Sequence, residues 1–227
     1  MHGGIREALE YASHIAKIEL NSVTDNPVFI KNEETNLVEV MAGGNFHGES
    51  VGIAMDALAI AISELANISA RRIAALLDDR FNNGLPVFLR VTEKMRTGLM
   101  ILQHTTASLV SENKVLAHPA SVDSVPTSAN TEDFVDMSSV SARKVVDILD
   151  NIKHVLAIEL MVAAQAIDLR DKSKNGTNLG TGTKVVYDFV CQKVPMLKID
   201  TYYKPYVDGL VDDLYDLITR DGLEFIK

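Results

Sequence analysis

Apolar residues recur three and four apart at Ile5, Ala8, Leu9, Ala12, Ile15, Ala16 and Ile18, which predicts a helix over 5–20. Residues 21–27 are dense in Asn, Asp, Ser and Thr and close on a proline that constrains its predecessor, so the helix stops there. Two short β-prone runs, 28–30 and 37–41, flank the polar stretch 31–36 and read as a hairpin. Gly43-Gly44 then breaks the chain. From about 47 to 79 there is no proline, and glycine occurs only at Gly48 and Gly52. A helix of that length would run about 50 Å at ~1.5 Å rise per residue. Its middle, 51–66, is apolar on nearly every side, so other helices must surround it, from this chain or another. Arg71, Arg72 and Arg80 fall towards its C-terminal end, where cations favour the helix dipole.

A loop at 81–86 carries Asn82-Asn83-Gly84, and a second helix is predicted over 97–116. The stretch 117–130, rich in Ser, Pro, Ala and Thr, reads as an ordered loop, and a third long helix is predicted over 131–169. Residues 171–183 form a polar, Gly-rich flexible linker, followed by helices near 184–193 and 206–221. The expectation is an all-α fold: a single helical domain over 1–227, built from long helices with one small β-hairpin excursion.

Composition agrees. Of 227 residues 47% are hydrophobic, only 6% aromatic and none Trp, a mixture that suits close-packed helices better than a β-sandwich. The net charge of −9 comes with no basic stripe, which argues against a nucleic-acid partner. The N-terminal residues lack an apolar signal segment, and the apolar runs 51–62 and 155–167 fall short of the ~20 residues that span a bilayer. No membrane partner and a cytoplasmic location are therefore expected. Cys191 is the one cysteine, which excludes an internal disulfide and reads as a passive helix residue.

Histidines at 2, 14, 47, 104, 118 and 154 include no HxxxH or HxH pair, so no metal site is expected. Gly180-Thr181-Gly182-Thr183-Lys184 lacks the spacing of a phosphate loop. Two places remain. Phe46 follows the flexible Gly43-Gly44 pair, which can present it into a cleft; on residue types alone it reads rather as core filler, with Asn45 as an N-cap. Glu132 and Asp133 follow Ser128-Ala129-Asn130-Thr131 and read on residue types as acidic capping of a helix start.

Taken together, Asn21-Ser22-Val23-Thr24-Asp25-Asn26-Pro27, Gly43-Gly44-Asn45-Phe46-His47-Gly48-Glu49, Ser111-Glu112-Asn113-Lys114, His118-Pro119-Ala120-Ser121-Val122-Asp123-Ser124 and Pro126-Thr127-Ser128-Ala129-Asn130-Thr131-Glu132-Asp133 resemble the histidine and aromatic amino acid ammonia-lyase family. The resemblance is to its C-terminal portion and to its histidine branch. It implies that Phe46 shapes the substrate pocket beside the prosthetic group, and that Glu132 contacts the substrate side chain and is needed for catalysis. A carboxylate there suits an imidazole N–H. The family's methylidene-imidazolone is made from an Ala-Ser-Gly tripeptide, which this sequence does not contain.

The resemblance thus implies a C-terminal subunit of a split histidine ammonia-lyase, with methylidene-imidazolone supplied by a partner chain, the N-terminal lyase half that carries Ala-Ser-Gly. Hetero-oligomeric assembly around a tetramer-like helical core and a small amino acid substrate go with it, and the chain alone is expected to be inactive. A non-catalytic helical scaffold derived from a lyase, and a truncated aromatic amino acid lyase of other specificity, are the alternatives. Phe134, Asp136 and His104 depart from the pattern of the histidine branch, where His, Ser and Tyr respectively are usual.

Overall fold

The computed structural model describes residues 2–173 and 179–218. The chain is helical, as expected, with one small antiparallel sheet. Helix α1 spans His2–Leu20, strands β1 and β2 span Val28–Lys31 and Val38–Met41, and helix α2 spans Glu49–Leu77. Helices α3 (Met100–Leu116), α4 (Ser138–Ser173), α5 (Thr181–Lys193), α6 (Lys204–Asp212) and α7 (Leu214–Ile218) follow. The hairpin pairs Val28 with Met41 and Lys31 with Val38, its register set by a turn in which Asn32 Oδ1 accepts the Glu34 and Thr35 N–H groups at 3.0 and 3.1 Å.

Four elements differ from the sequence reading. Helix α4 begins at Ser138 rather than 131, because Ser128, Ala129 and Asn130 all take left-handed backbone angles and the chain then pairs Thr127 with Glu132 in an isolated bridge. The signal that starts the helix is Asp136, whose Oδ1 accepts the Ser138 N–H at 3.0 Å. Helix α2 ends at Leu77, so Arg80 lies beyond it and pairs with Asp78 instead of the helix dipole. The linker expected at 171–183 is shorter, since α4 runs on to Ser173 and α5 begins at Thr181; residues 174–178 lie outside the described residues. The helix expected at 206–221 is broken at Asp213 into α6 and α7, and 219–221 lie outside the described residues.

The chain divides into two compact units. The first comprises Met1–Glu64 and Lys114–Leu149, the second Leu65–Asn113 and Asp150–Lys227. In the first, Ala12, Ala54, Ala59, Ile62, Val145 and Ile148 are buried, but Leu9, Ile18 and Leu20 of α1 are exposed. So are Phe29, Ile30, Val38, Val40 and Met41, which lie on both faces of the hairpin. A strand pair apolar and open on both sides is unusual for a chain that stands alone.

The second unit carries a denser core, with Ile73, Leu77, Leu89, Leu99, Ile158, Met161, Phe189 and Leu210 almost fully buried. Buried Gln165 stitches it together: its Nε2 donates to the carbonyls of Leu89 and Leu197 at 3.3 and 2.9 Å, and its Oε1 accepts the Leu197 N–H at 3.0 Å. Asn151 donates to Glu112 and Asn113 at 3.1 and 2.9 Å, which gives part of the Ser111-Glu112-Asn113-Lys114 motif a packing role. Burial pushes the Cys191 thiol up, in keeping with a passive residue.

By length and composition α2 could cross a membrane, although its apolar run read as too short in the sequence. Its interior, however, holds buried Asp56 in an ion pair with Lys144. A buried charge met by a partner and several hydrogen bonds belongs to a packed protein core more readily than to lipid.

Candidate active site

Four of the five motifs lie in the first unit, and side-chain hydrogen bonds knot them together. The turn at 43–49 is pinned to segment 21–27: Asn45 Nδ2 donates to the Val23 carbonyl at 2.7 Å, and Asn26 Oδ1 accepts the Gly43 N–H at 3.1 Å. Asn45 is therefore not an N-cap of α2, and the helix begins four residues later. Nor is Phe46 core filler, since it is 57% exposed. A Cβ at Gly43 or Gly44 would meet nothing within 4 Å, so the crowded glycine is another one. At Gly48 a Cβ would stand 2.5 Å from Ser138 Oγ and 2.8 Å from Asp136 Oδ1.

That closeness brings the Phe46 turn onto the loop that carries Glu132. Gly48 donates its N–H to Asp136 Oδ2 at 2.9 Å. The His47 ring stacks on Phe134 at 5.6 Å between centroids, and its Nε2 lies 3.3 Å from the Phe134 carbonyl. His47 Nδ1 accepts the Glu49 N–H at 3.3 Å, which places the ring proton on Nε2 to donate to that carbonyl. Asp136 loses solvation, yet hydrogen bonds from Ser138 and from the Gly48 N–H hold its carboxyl below the ordinary value.

Glu132 sits in the extended bridge rather than in a helical first turn, so helix capping does not explain it. Its Oε2 accepts the Thr127 hydroxyl at 2.5 Å, and its carbonyl accepts the Thr127 N–H at 2.9 Å. Hydrogen bonds from Thr127 and then Ser128 hold its carboxyl below the usual value. The intervening Ser128, Ala129 and Asn130 have φ of 51°, 55° and 68°. Three successive L-residues in that region are strained, and such strain collects at functional sites.

Loop 117–124 is anchored from beneath. Asp56 Oδ2 accepts the N–H groups of Ala120 and Ser121, both at 2.7 Å, and the Ser141 hydroxyl at 2.9 Å. Lys144 reaches Asp56 at 2.9 Å and also donates to the His118 carbonyl. Further along, Ser124 Oγ accepts the Val135 N–H at 3.0 Å. The expected residues Phe46 and Glu132 thus lie on two loops joined through His47, Gly48, Phe134 and Asp136. Of these joining residues, Phe134 and Asp136 stood out in the sequence only as departures, and nothing marked His47 as the ring that would dock on Phe134.

The description "Aromatic amino acid lyase" belongs to the family whose profile matches residues 1–192. The chain belongs to this family. It is 48% identical to histidine ammonia-lyase of Chloroflexus aurantiacus over 91% of its own length and 40% of that enzyme's. It is also 48% identical to histidine ammonia-lyase 2 of Fusobacterium nucleatum, over 100% of its length and 43% of the relative's. Crystalline histidine ammonia-lyase of Trypanosoma cruzi superposes with a TM-score of 0.89 at 37% identity, covering 98% of this chain and 43% of that one. Tyrosine aminomutase of Streptomyces globisporus does so with a TM-score of 0.87 at 34% identity, over 96% and 41%. The chain therefore spans about two fifths of the length of the curated lyases it matches and corresponds to a C-terminal portion of them.

Proposed function

We propose that this lyase-family chain is the C-terminal subunit of a split histidine ammonia-lyase, and that it contributes pocket residues to the non-oxidative deamination of L-histidine to urocanate and ammonia. One observation carries the reading. An ionised, hydroxyl-braced Glu132 stands on a strained loop that is clasped to the turn presenting Phe46. A core-packing role needs neither the strain nor the exposed ring.

In this reading Glu132 accepts the imidazole N–H of the substrate. A carboxylate in that place orients the imidazole, stabilises charge on it and is a candidate base towards it. Phe46 offers an exposed ring face as one pocket wall, and His47 with Asp136 holds that wall in place. The 227 residues contain no Ala-Ser-Gly, so a partner chain would supply the methylidene-imidazolone of this family of lyases. The open side of Phe46 and the free space above Gly43 and Gly44 fit a planar group arriving from outside. When bound, that group supplies the electrophile that activates the substrate amine.

The apolar hairpin and the exposed Leu9, Ile18, Ile53 and Ile60 fit assembly with an N-terminal lyase half in a soluble, cytoplasmic hetero-oligomer. Co-expression with a lyase half that carries Ala-Ser-Gly, followed by ultraviolet detection of urocanate from histidine and of cinnamate from phenylalanine, tests the proposal. Turnover by the complex and none by this chain alone is expected. Turnover by this chain alone, or a complex that forms and turns over no amino acid, refutes it.

A further inference from the structure

The second unit holds a cavity of about 580 Å³, walled by Arg71, Asp78, Asp79, Arg80, Phe81, Phe88 and Gln103 among others. Its size lies in the range of small-ligand sites, roughly 300–1,000 Å³. Arg80 is committed to Asp78 at 2.7 Å, and that pairing holds the aspartate at about 2. Arg71 and Gln103 are different: among the described residues neither side chain makes a hydrogen bond or ion pair. An uncommitted guanidinium and a free amide therefore face one cavity, together with the rings of Phe81 and Phe88.

The wall that presents Phe88 is strained and heavily braced. Phe88 and Leu89 have φ of 53° and 52°. A Cβ at Gly98 would lie 2.4 Å from the Phe88 carbonyl oxygen, so only glycine lets the two backbones approach. Asp200 accepts the N–H groups of Arg96, Thr97 and Gly98 at 2.9, 3.1 and 3.0 Å, and the Tyr203 hydroxyl donates to the Gly98 carbonyl at 2.9 Å. Gln165 holds the Leu89 carbonyl from the other side at 3.3 Å. Strain held by that many partners marks a surface with a fixed shape.

We propose that this cavity is a second binding site, for a small carboxylate bearing a flat apolar body. The planar fork of Arg71 matches the two oxygens of a carboxylate, and the amide of Gln103 adds a donor. Phe88 and Phe81, whose ring already carries the Arg80 guanidinium 5.7 Å from its centroid on one face, give the apolar lining against which a flat apolar body lies. Asp78 and Asp79 disfavour a doubly charged anion such as phosphate at the same place.

Benzoate and inorganic phosphate serve as probes, titrated calorimetrically into the full chain, or into its complex where one forms. Benzoate is expected to bind at millimolar concentration, and Arg71→Gln to weaken it roughly tenfold or more. Phosphate is expected not to bind. Since Arg71 is exposed, its replacement should leave the melting temperature unchanged. Absence of benzoate binding, binding indifferent to Arg71→Gln, or phosphate binding as well as benzoate overturns the proposal. So does a loss of chain–chain association on Arg71→Gln without benzoate binding, which would make the cavity an interface. None of these outcomes depends on lyase turnover.

Discussion

Lys144 meets Asp56 at 2.9 Å in the interior of the first unit, and the same carboxylate holds the N–H groups of Ala120 and Ser121. Burial alone would raise the Asp56 pKa. Hydrogen bonds from the Ser121 backbone, Lys144 and Ser141 outweigh it and bring the value down to about 2. A carboxylate with a depressed folded pKa adds stability that is complete above its unfolded value and is lost as pH falls through the folded one.

The first unit should therefore lose roughly 2 kcal/mol of stability between about pH 4 and pH 2 on account of Asp56. Lys144→Met leaves the buried carboxylate without its counter-ion and should cost about 3 kcal/mol at neutral pH. Urea unfolding followed by circular dichroism at pH 7 and pH 3 checks both. A loss in Lys144→Met as large at pH 3 as at pH 7 would rule out the electrostatic account.

Glu132→Gln keeps the shape of the side chain and its place opposite Thr127 but removes the charge. In the assembled enzyme, histidine turnover should drop by roughly a hundredfold or more, within the range of a lost charged contact to a reacting substrate. Assembly and melting temperature should stay as they were. If urocanate formation continues at the same rate, Glu132 is not in the site.

Gly48→Ala drives a methyl group against Ser138 Oγ and Asp136 Oδ1. Part of the clash relaxes through rotation of Ser138, and a net loss of about 1–3 kcal/mol is expected. The Gly48–Asp136 hydrogen bond should loosen with it, so in the assembled enzyme KM should rise along with the fall in melting temperature. An unchanged melting temperature would show that the two loops are less tightly clasped than described.

The hairpin gives a prediction about assembly. Val40→Lys on β2 adds a charge to an exposed apolar strand and removes nothing from a core. It should improve the solubility of the isolated chain and impair complex formation, as read by light scattering and size-exclusion chromatography. A complex that forms undiminished would place the partner surface elsewhere.

Most of the fold could be read from periodicity. Helices α1, α2, α3 and α5 and the hairpin fall within a few residues of expectation, because apolar spacing and the breaks at Pro27 and Gly43-Gly44 are local signals. The start of α4 was not legible. The Ser, Asn, Thr, Glu and Asp at 128–133 imitate a capped helix start, and the left-handed turn that defeats it depends on Thr127 and Glu132 facing each other. Phe46 and Glu132 became candidates only through the resemblance, since each also had an ordinary local explanation. The clasp between their loops lay beyond the sequence, because His47 and Phe134 are far apart in the chain and share no motif.

The left-handed run Ser128–Asn130 makes this stretch a place where a protein can become more robust by becoming less useful. Glycine is at ease in that backbone region, so Ala129→Gly should relax the loop. The same ease would let Thr127 and Glu132 drift apart. Selection for stability alone would erode the loop from within, and heat resistance gained there is expected to come with lost turnover.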